Sequence, residues 1–150
     1  MGKTAAAGFA KLSRWLVLAL VLAVALVSYN IDIPEGRSSA SNWKFVASHP
    51  TILLHVIVAT VILVAAIVML IMAIRDHDRS WVILSLAGLA FVLLAFGAGE
   101  DYVVTLRKSA LTYMSIGWLG AMATYGTGWY RGRRKARQEQ DAMVSGTASR

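Results

Sequence analysis

The sequence predicts an all-α integral membrane protein, an antiparallel four-helix bundle with both ends on the cytoplasmic side. Three observations carry that expectation. Hydrophobic residues fill 57% of the 150 positions and charged residues only 15%, whereas a soluble domain needs about a quarter charged residues to wet its surface. Four uncharged stretches are each long enough to cross about 30 Å of hydrocarbon at about 1.5 Å per helical residue. The 15 Lys and Arg residues are spread unevenly around those stretches, as membrane orientation demands. The high apolar content also excludes a disordered chain. The absence of cysteine excludes a disulfide scaffold, thiolate zinc sites, iron–sulfur clusters and cysteine nucleophiles.

A basic segment, 1–14, precedes the first span, 15–31, the shortest of the four. Lys3, Lys11 and Arg14 ahead of an apolar run also describe a secretory signal, with Ala23-Val24-Ala25 as its cleavage site. That triplet lies inside the apolar run instead of after it, so an uncleaved span is expected. The second span, 51–74, is the longest and ends at Arg75; Pro50 suits the first turn of its helix. The third, 81–99, stops at Glu100 and Asp101. The fourth, 109–130, lies between Lys108 and Arg131. None of these runs alternates as the strands of a membrane barrel do, so helices are expected. The 131–150 tail reads as basic and then polar, irregular chain.

With the N-terminus inside, cytoplasmic segments hold eleven of the basic residues and the outer loops four, Arg37, Lys44, Arg107 and Lys108. This bias places both termini inside, on the cytoplasmic face of an inner membrane. Trp15, Trp81, Trp129 and Tyr130 then mark the inner boundary, and Tyr29, Trp43, Tyr102 and Tyr113 the outer one. The net charge of +7 is concentrated beside the membrane, in the first segment and in 131–137. It reads as a topology signal and an attraction to anionic lipid, not as a nucleic-acid surface. In the long outer loop, Pro34-Glu35-Gly36 marks a turn, and Trp43, Lys44 and Phe45 form a short amphipathic turn along the interface.

Small residues mark helix contacts in lipid because they let backbones approach. On the second helix Ala59, Ile62, Ala66, Met69 and Ala73 fall within about 40° of His55, turning that histidine inward. On the fourth, Gly117, Trp118, Ala121, Tyr125 and Gly128 share the side of Met114, with Gly117 and Ala121 as a small-xxx-small pair. Gly88, Ala95, Gly97 and Gly99 suit the third helix to close contact.

His55 is the one ionisable group inside a span, and such groups are functional candidates by default. It lies about 7 Å below the outer end of its helix, and Met114 is at similar depth on the antiparallel fourth helix. Imidazole and thioether form one axial pair for haem iron, and Lys44, Arg107 and Lys108 at the outer rim would suit its propionates. The bland alternative is a histidine bonding across helices beside a packing methionine. His49 and His77 are dispersed, and no Ser/His/acid spacing suggests catalysis. Glu100 and Asp101 with Arg107 and Lys108 read as a charge network at the rim.

The run 55–125 resembles a family of uncharacterised small bacterial membrane proteins with four spans. The matching elements are His55, Gly88, and Ser109-Ala110-Leu111-Thr112-Tyr113-Met114 followed by Gly117, Ala121 and Tyr125. His49-Pro50, His55 and 97–102 are also distantly similar to predicted haem-binding four-helix membrane proteins. That pattern expects a second histidine at the head of the last helix, where this chain has Leu111 and Thr112. The resemblance implies a fold and no reaction. The expected role is therefore non-catalytic: a small membrane subunit or accessory factor packing against other membrane subunits or a second copy of itself. The alternative is a b-type haem electron carrier using His55 and Met114.

Overall fold

A computed structural model describes the backbone of residues 3–27, 33 and 38–148, and the side chains of 7–26, 33 and 38–138. Among the described residues the chain is helical and has no strand: α1 (Lys3–Val27), α2 (Ser39–Ser48), α3 (Pro50–Arg75), α4 (Arg79–Thr105) and α5 (Lys108–Ala148). Three helices are long and apolar enough to cross a membrane: α1 over Ala7–Leu26, α3, and α4. The fourth expected span lies in α5, which falls short of them in apolarity. Its apolar run is diluted by Gly117, Gly120, Gly126 and Gly128 and by the hydroxyls of Thr112, Ser115, Thr124 and Thr127.

The four long helices form a ring. Each packs on its two neighbours, in the order α1, α3, α4, α5 and back to α1, and across one diagonal the large side chains Phe9 of α1 and Trp81 of α4 meet inside the ring. Every side of the ring is antiparallel. Ser13 near the start of α1 reaches Met69 near the end of α3, and Trp118 early in α5 reaches Leu20 late in α1. On the α4–α5 side, Gly88 meets Tyr125 while Gly117 meets Ala95.

The core repeats every three or four residues, the spacing that keeps one stripe of a helix facing its partners. Phe9, Ser13, Leu16, Leu20 and Ala23 are buried on α1; Ile62, Ala66, Met69 and Ala73 on α3; and Trp81, Ser85 and Val92 on α4. On α5 the buried stripe is Ala110, Gly117, Ala121, Tyr125, Gly128 and Gly132. Small side chains dominate that stripe. A Cβ on Gly117 would lie 2.6 Å from the Ala95 nitrogen and 2.7 Å from the Phe91 carbonyl oxygen. Gly120 lies under the Phe91 ring, and a Cβ on Gly88 would fall 2.6 Å from the Tyr125 ring.

The helices outrun the apolar segments. The basic 1–14 segment does not stand apart: α1 starts at Lys3, and Phe9 stacks on Trp81 with ring centroids 4.7 Å apart. The tail expected to be irregular is helical through Ala148, and Gly132 packs against Ala10. Helix α4 continues past Glu100 and Asp101 to Thr105. Charge ends a hydrocarbon span but not a helix, and Ala, Lys, Arg, Gln and Glu are all good helix formers. The close contact expected at Gly97 does not form; that residue faces out, with nothing within 4 Å of its Cβ position.

The segment read as a turn around Trp43 is the helix α2, capped by Ser38, whose hydroxyl accepts from the Ser41 N–H at 3.4 Å. Asn42 is buried and donates from Nδ2 to the Val103 carbonyl at 2.9 Å. That carbonyl belongs to the last turn of α4, where helices leave acceptors without partners. Val46, Ile33 and Val103 form a second small core there, with Ile52, Val56 and Leu106 against it. Leu106 closes α4 with φ 55°, a left-handed conformation that costs a side chain about 1 kcal/mol. Packing into this second core holds it there.

Gly117→Ala should lower stability by about 1–3 kcal/mol, because the added methyl meets backbone that cannot move aside. Gly97→Ala should be neutral or stabilising by up to about 1 kcal/mol through helix propensity. Thermal unfolding in detergent, followed by circular dichroism, separates them. Equal melting temperatures for the two variants would contradict the α4–α5 contact.

Candidate functional site

Helix α3 begins at a junction built around its first histidine. His49 is the N-cap and Pro50 the first helical residue. The His49 ring packs at a tilt against Phe45 with centroids 3.8 Å apart, and its Nδ1 donates to the Phe45 carbonyl at 2.8 Å. Ser48 donates to the same carbonyl at 2.9 Å. His49 is thus a structural link between α2 and α3.

His55, further along α3, is half-buried and turned toward α1. Its Nδ1 lies 2.8 Å from the Ala23 carbonyl oxygen. A carbonyl only accepts, so Nδ1 carries a proton and donates it, which leaves Nε2 as the ring's other polar atom. One turn away on α1, the Leu20 carbonyl accepts from Trp118 Nε1 of α5 at 3.0 Å. Two neighbouring α1 carbonyls are therefore held by side chains from two different helices. Each uses the lone pair that the intrahelical bond leaves over.

Met114 is placed elsewhere. Its sulfur lies 3.7 Å from the Cβ position of Gly99, an ordinary contact with α4. His55 is bonded to α1 and Met114 touches α4, and their helices α3 and α5 sit on opposite corners of the ring. Lys44 is exposed on α2, and Arg107 and Lys108 are exposed at the α4–α5 turn. The rim charge network does not form among the described residues, where the one ion pair joins Lys135 and Asp78 at 4.0 Å. Asp101 instead accepts from the Thr105 hydroxyl, through its carbonyl at 2.8 Å and its carboxylate at 3.4 Å. His77 is exposed in the α3–α4 turn, with φ 53° and Nδ1 2.8 Å from the Arg75 carbonyl. No group of three His, Asp or Glu residues is placed to hold a metal ion among the described residues.

The small residues singled out for packing lie at the helix contacts: Ala66 and Ala121 are fully buried, Gly117 is buried on α4, and Ala59 is half-buried. Three buried polar atoms, Asn42 Oδ1, Ser85 Oγ and the Tyr125 hydroxyl, have no hydrogen-bond partner among the described residues.

One site was not anticipated. A groove of about 280 Å³ opens between the start of α4 and the far part of α5, with Arg131, Arg134, Lys135 and Gln138 on one wall and Trp81 and Leu84 on the other. The signal for it was present: 131, 134, 135 and 138 follow the spacing of a single helix face. That signal means something only if the helix continues past Tyr130, as it does. Comparison with protein-family models, curated proteins and solved structures finds no match to this chain.

His55→Ala and Trp118→Phe each remove one bond to α1. Each should cost roughly 0.5–1.5 kcal/mol of stability, read as a lower unfolding temperature in detergent. Wild-type melting in both variants would show that these bonds do not hold α1 in place.

Proposed function

We propose that this chain is a small non-catalytic subunit of a bacterial inner-membrane assembly, crossing the bilayer four times with both ends in the cytoplasm. One observation supports the partner reading: the outward faces of α3 and α5 differ in kind. On α3 the exposed residues within the span are branched aliphatics, Leu53, Leu54, Ile57, Val61, Val64, Ile67, Val68, Ile71 and Ile74, with Thr60 the polar exception. Lipid tails are a good solvent for such a surface. On α5 the outward side carries Thr112, Ser115, Ala123 and Thr127, all exposed, with Gly126 open beside them and Leu111, Tyr113, Ile116, Leu119 and Tyr130 as its larger members.

The hydroxyls on that face turn back to their own helix. Ser115 donates to the Leu111 carbonyl at 2.9 Å and Thr127 to that of Ala123 at 2.8 Å. This leaves the stretch Ala123, Gly126 and Thr127 as a small-residue patch on which another backbone can approach closely, the geometry that helix association in lipid favours. Basic residues at the N-terminus and beyond Tyr130 support the orientation.

A second reading, a b-type haem electron carrier, draws support from the His55 hydrogen bond. Donation from Nδ1 to a carbonyl is the arrangement that orients metal-binding imidazoles and leaves Nε2 to ligate. Bound haem would supply a one-electron couple. Met114, whose sulfur touches Gly99 of α4, is the candidate for the second axial position in that reading.

Photo-cross-linking decides between these. A benzoylphenylalanine at position 123 should give a discrete larger product in native membranes, and one at position 64 should not. Gly126→Leu should abolish that product without lowering the melting temperature, since nothing lies within 4 Å of its Cβ position and leucine is the better helix former. A lone chain unlinked at both positions, with a Soret band after purification from haem-replete cells, would replace the subunit reading by the haem one.

A further inference from the structure

The groove between α4 and α5 has two chemically different walls. Arg131, Arg134 and Lys135 line one and Trp81 with Leu84 the other. Lys135 is 4.0 Å from Asp78, and that carboxylate is already occupied by the start of α4. It accepts from the Ser80 N–H at 3.0 Å and the Trp81 N–H at 3.3 Å. Asp78 therefore offsets one cation and the helix terminus together. Arg131 and Arg134 remain as two exposed guanidinium groups with no acidic partner among the described residues. Arg133, by contrast, points away and lies 5.5 Å over the Trp129 ring.

We propose that this groove binds the phosphate of an anionic phospholipid in the inner leaflet. A guanidinium pair matches phosphate oxygens in number and geometry. Free inorganic phosphate shares that chemistry but has no use for the second wall. Trp81, only 3% exposed, and half-buried Leu84 give the groove an apolar wall beside the cations, where the start of an acyl chain would lie. Basic pockets between membrane helices on the cytoplasmic side are suited to such headgroups. The site rests on the membrane orientation proposed above and is independent of the partner on the α5 face.

Native mass spectrometry of the whole chain in a neutral detergent tests this. Titration with phosphatidylglycerol should give one retained lipid per chain, whereas phosphatidylcholine should not. The double variant Arg131→Gln/Arg134→Gln should weaken retention on the order of thirtyfold. Arg133→Gln/Arg137→Gln removes the same charge off the groove and should leave it unchanged. Equal losses in both doubles would reduce the effect to general charge attraction and overturn the site. So would equal retention of phosphatidylcholine, or displacement of the lipid by millimolar inorganic phosphate. Identical circular dichroism of the two doubles guards against misfolding. Failure here leaves the cross-link at position 123 unaffected, so the two proposals fall separately.

Discussion

Helix α5 rests directly on the backbone of α4, and the remaining architecture follows from that contact. In hydrocarbon no hydrophobic force draws one apolar helix to another, so association depends on how closely two backbones approach. Gly117 removes the side chain that would strike Ala95 and Phe91, Gly120 admits the Phe91 ring, and Gly88 admits the ring of Tyr125. The same device recurs farther along α5, where Gly128 faces Ser13 and Leu84, and Gly132 faces Ala10. Glycine lowers helix propensity by about 1 kcal/mol each time. Close van der Waals contact along the seam offsets that cost, and it makes α5 the least self-sufficient helix of the ring.

A helix seated so closely on one side positions its other features without further effort. Trp118 is delivered to the Leu20 carbonyl of α1, on the flank of α5 away from α4. Farther on, the same helix carries Arg131, Arg134 and Lys135 over the start of α4, beside Trp81. The stack of Phe9 on Trp81 fixes the floor of that groove. Thus one helix joins the packing seam, the link to α1, the outward small-residue face and the basic groove.

Much of this is legible in the residues. The stripe Ala59, Ile62, Ala66, Met69 and Ala73 follows the helical period and faces the ring, and Gly117 with Ala121 marks the α4–α5 seam. The inward turn of His55 is legible too, but its partner is not. The Ala23 carbonyl is backbone, and every residue has one, so sequence carries no mark of which is used. Helix ends are obscured for a different reason. Charge at Arg14, Glu100 and Arg131 looks like the end of each element, although charge limits only the stay in hydrocarbon. The basic tail therefore resembles irregular chain, and the groove it forms with Trp81 stays hidden. Gly97 misleads in the opposite sense, because a glycine permits close contact without requiring it.

The central claim is that α5, although less apolar than its neighbours, crosses the membrane because α4 and α1 cover its glycine seam. The absence of natural cysteine allows a direct measurement. Ser109→Cys and Gln138→Cys, introduced singly, are treated in intact spheroplasts with a membrane-impermeant maleimide. A crossing α5 predicts labelling at 109 from outside and at 138 only after lysis. Labelling of both positions from the same side would contradict it.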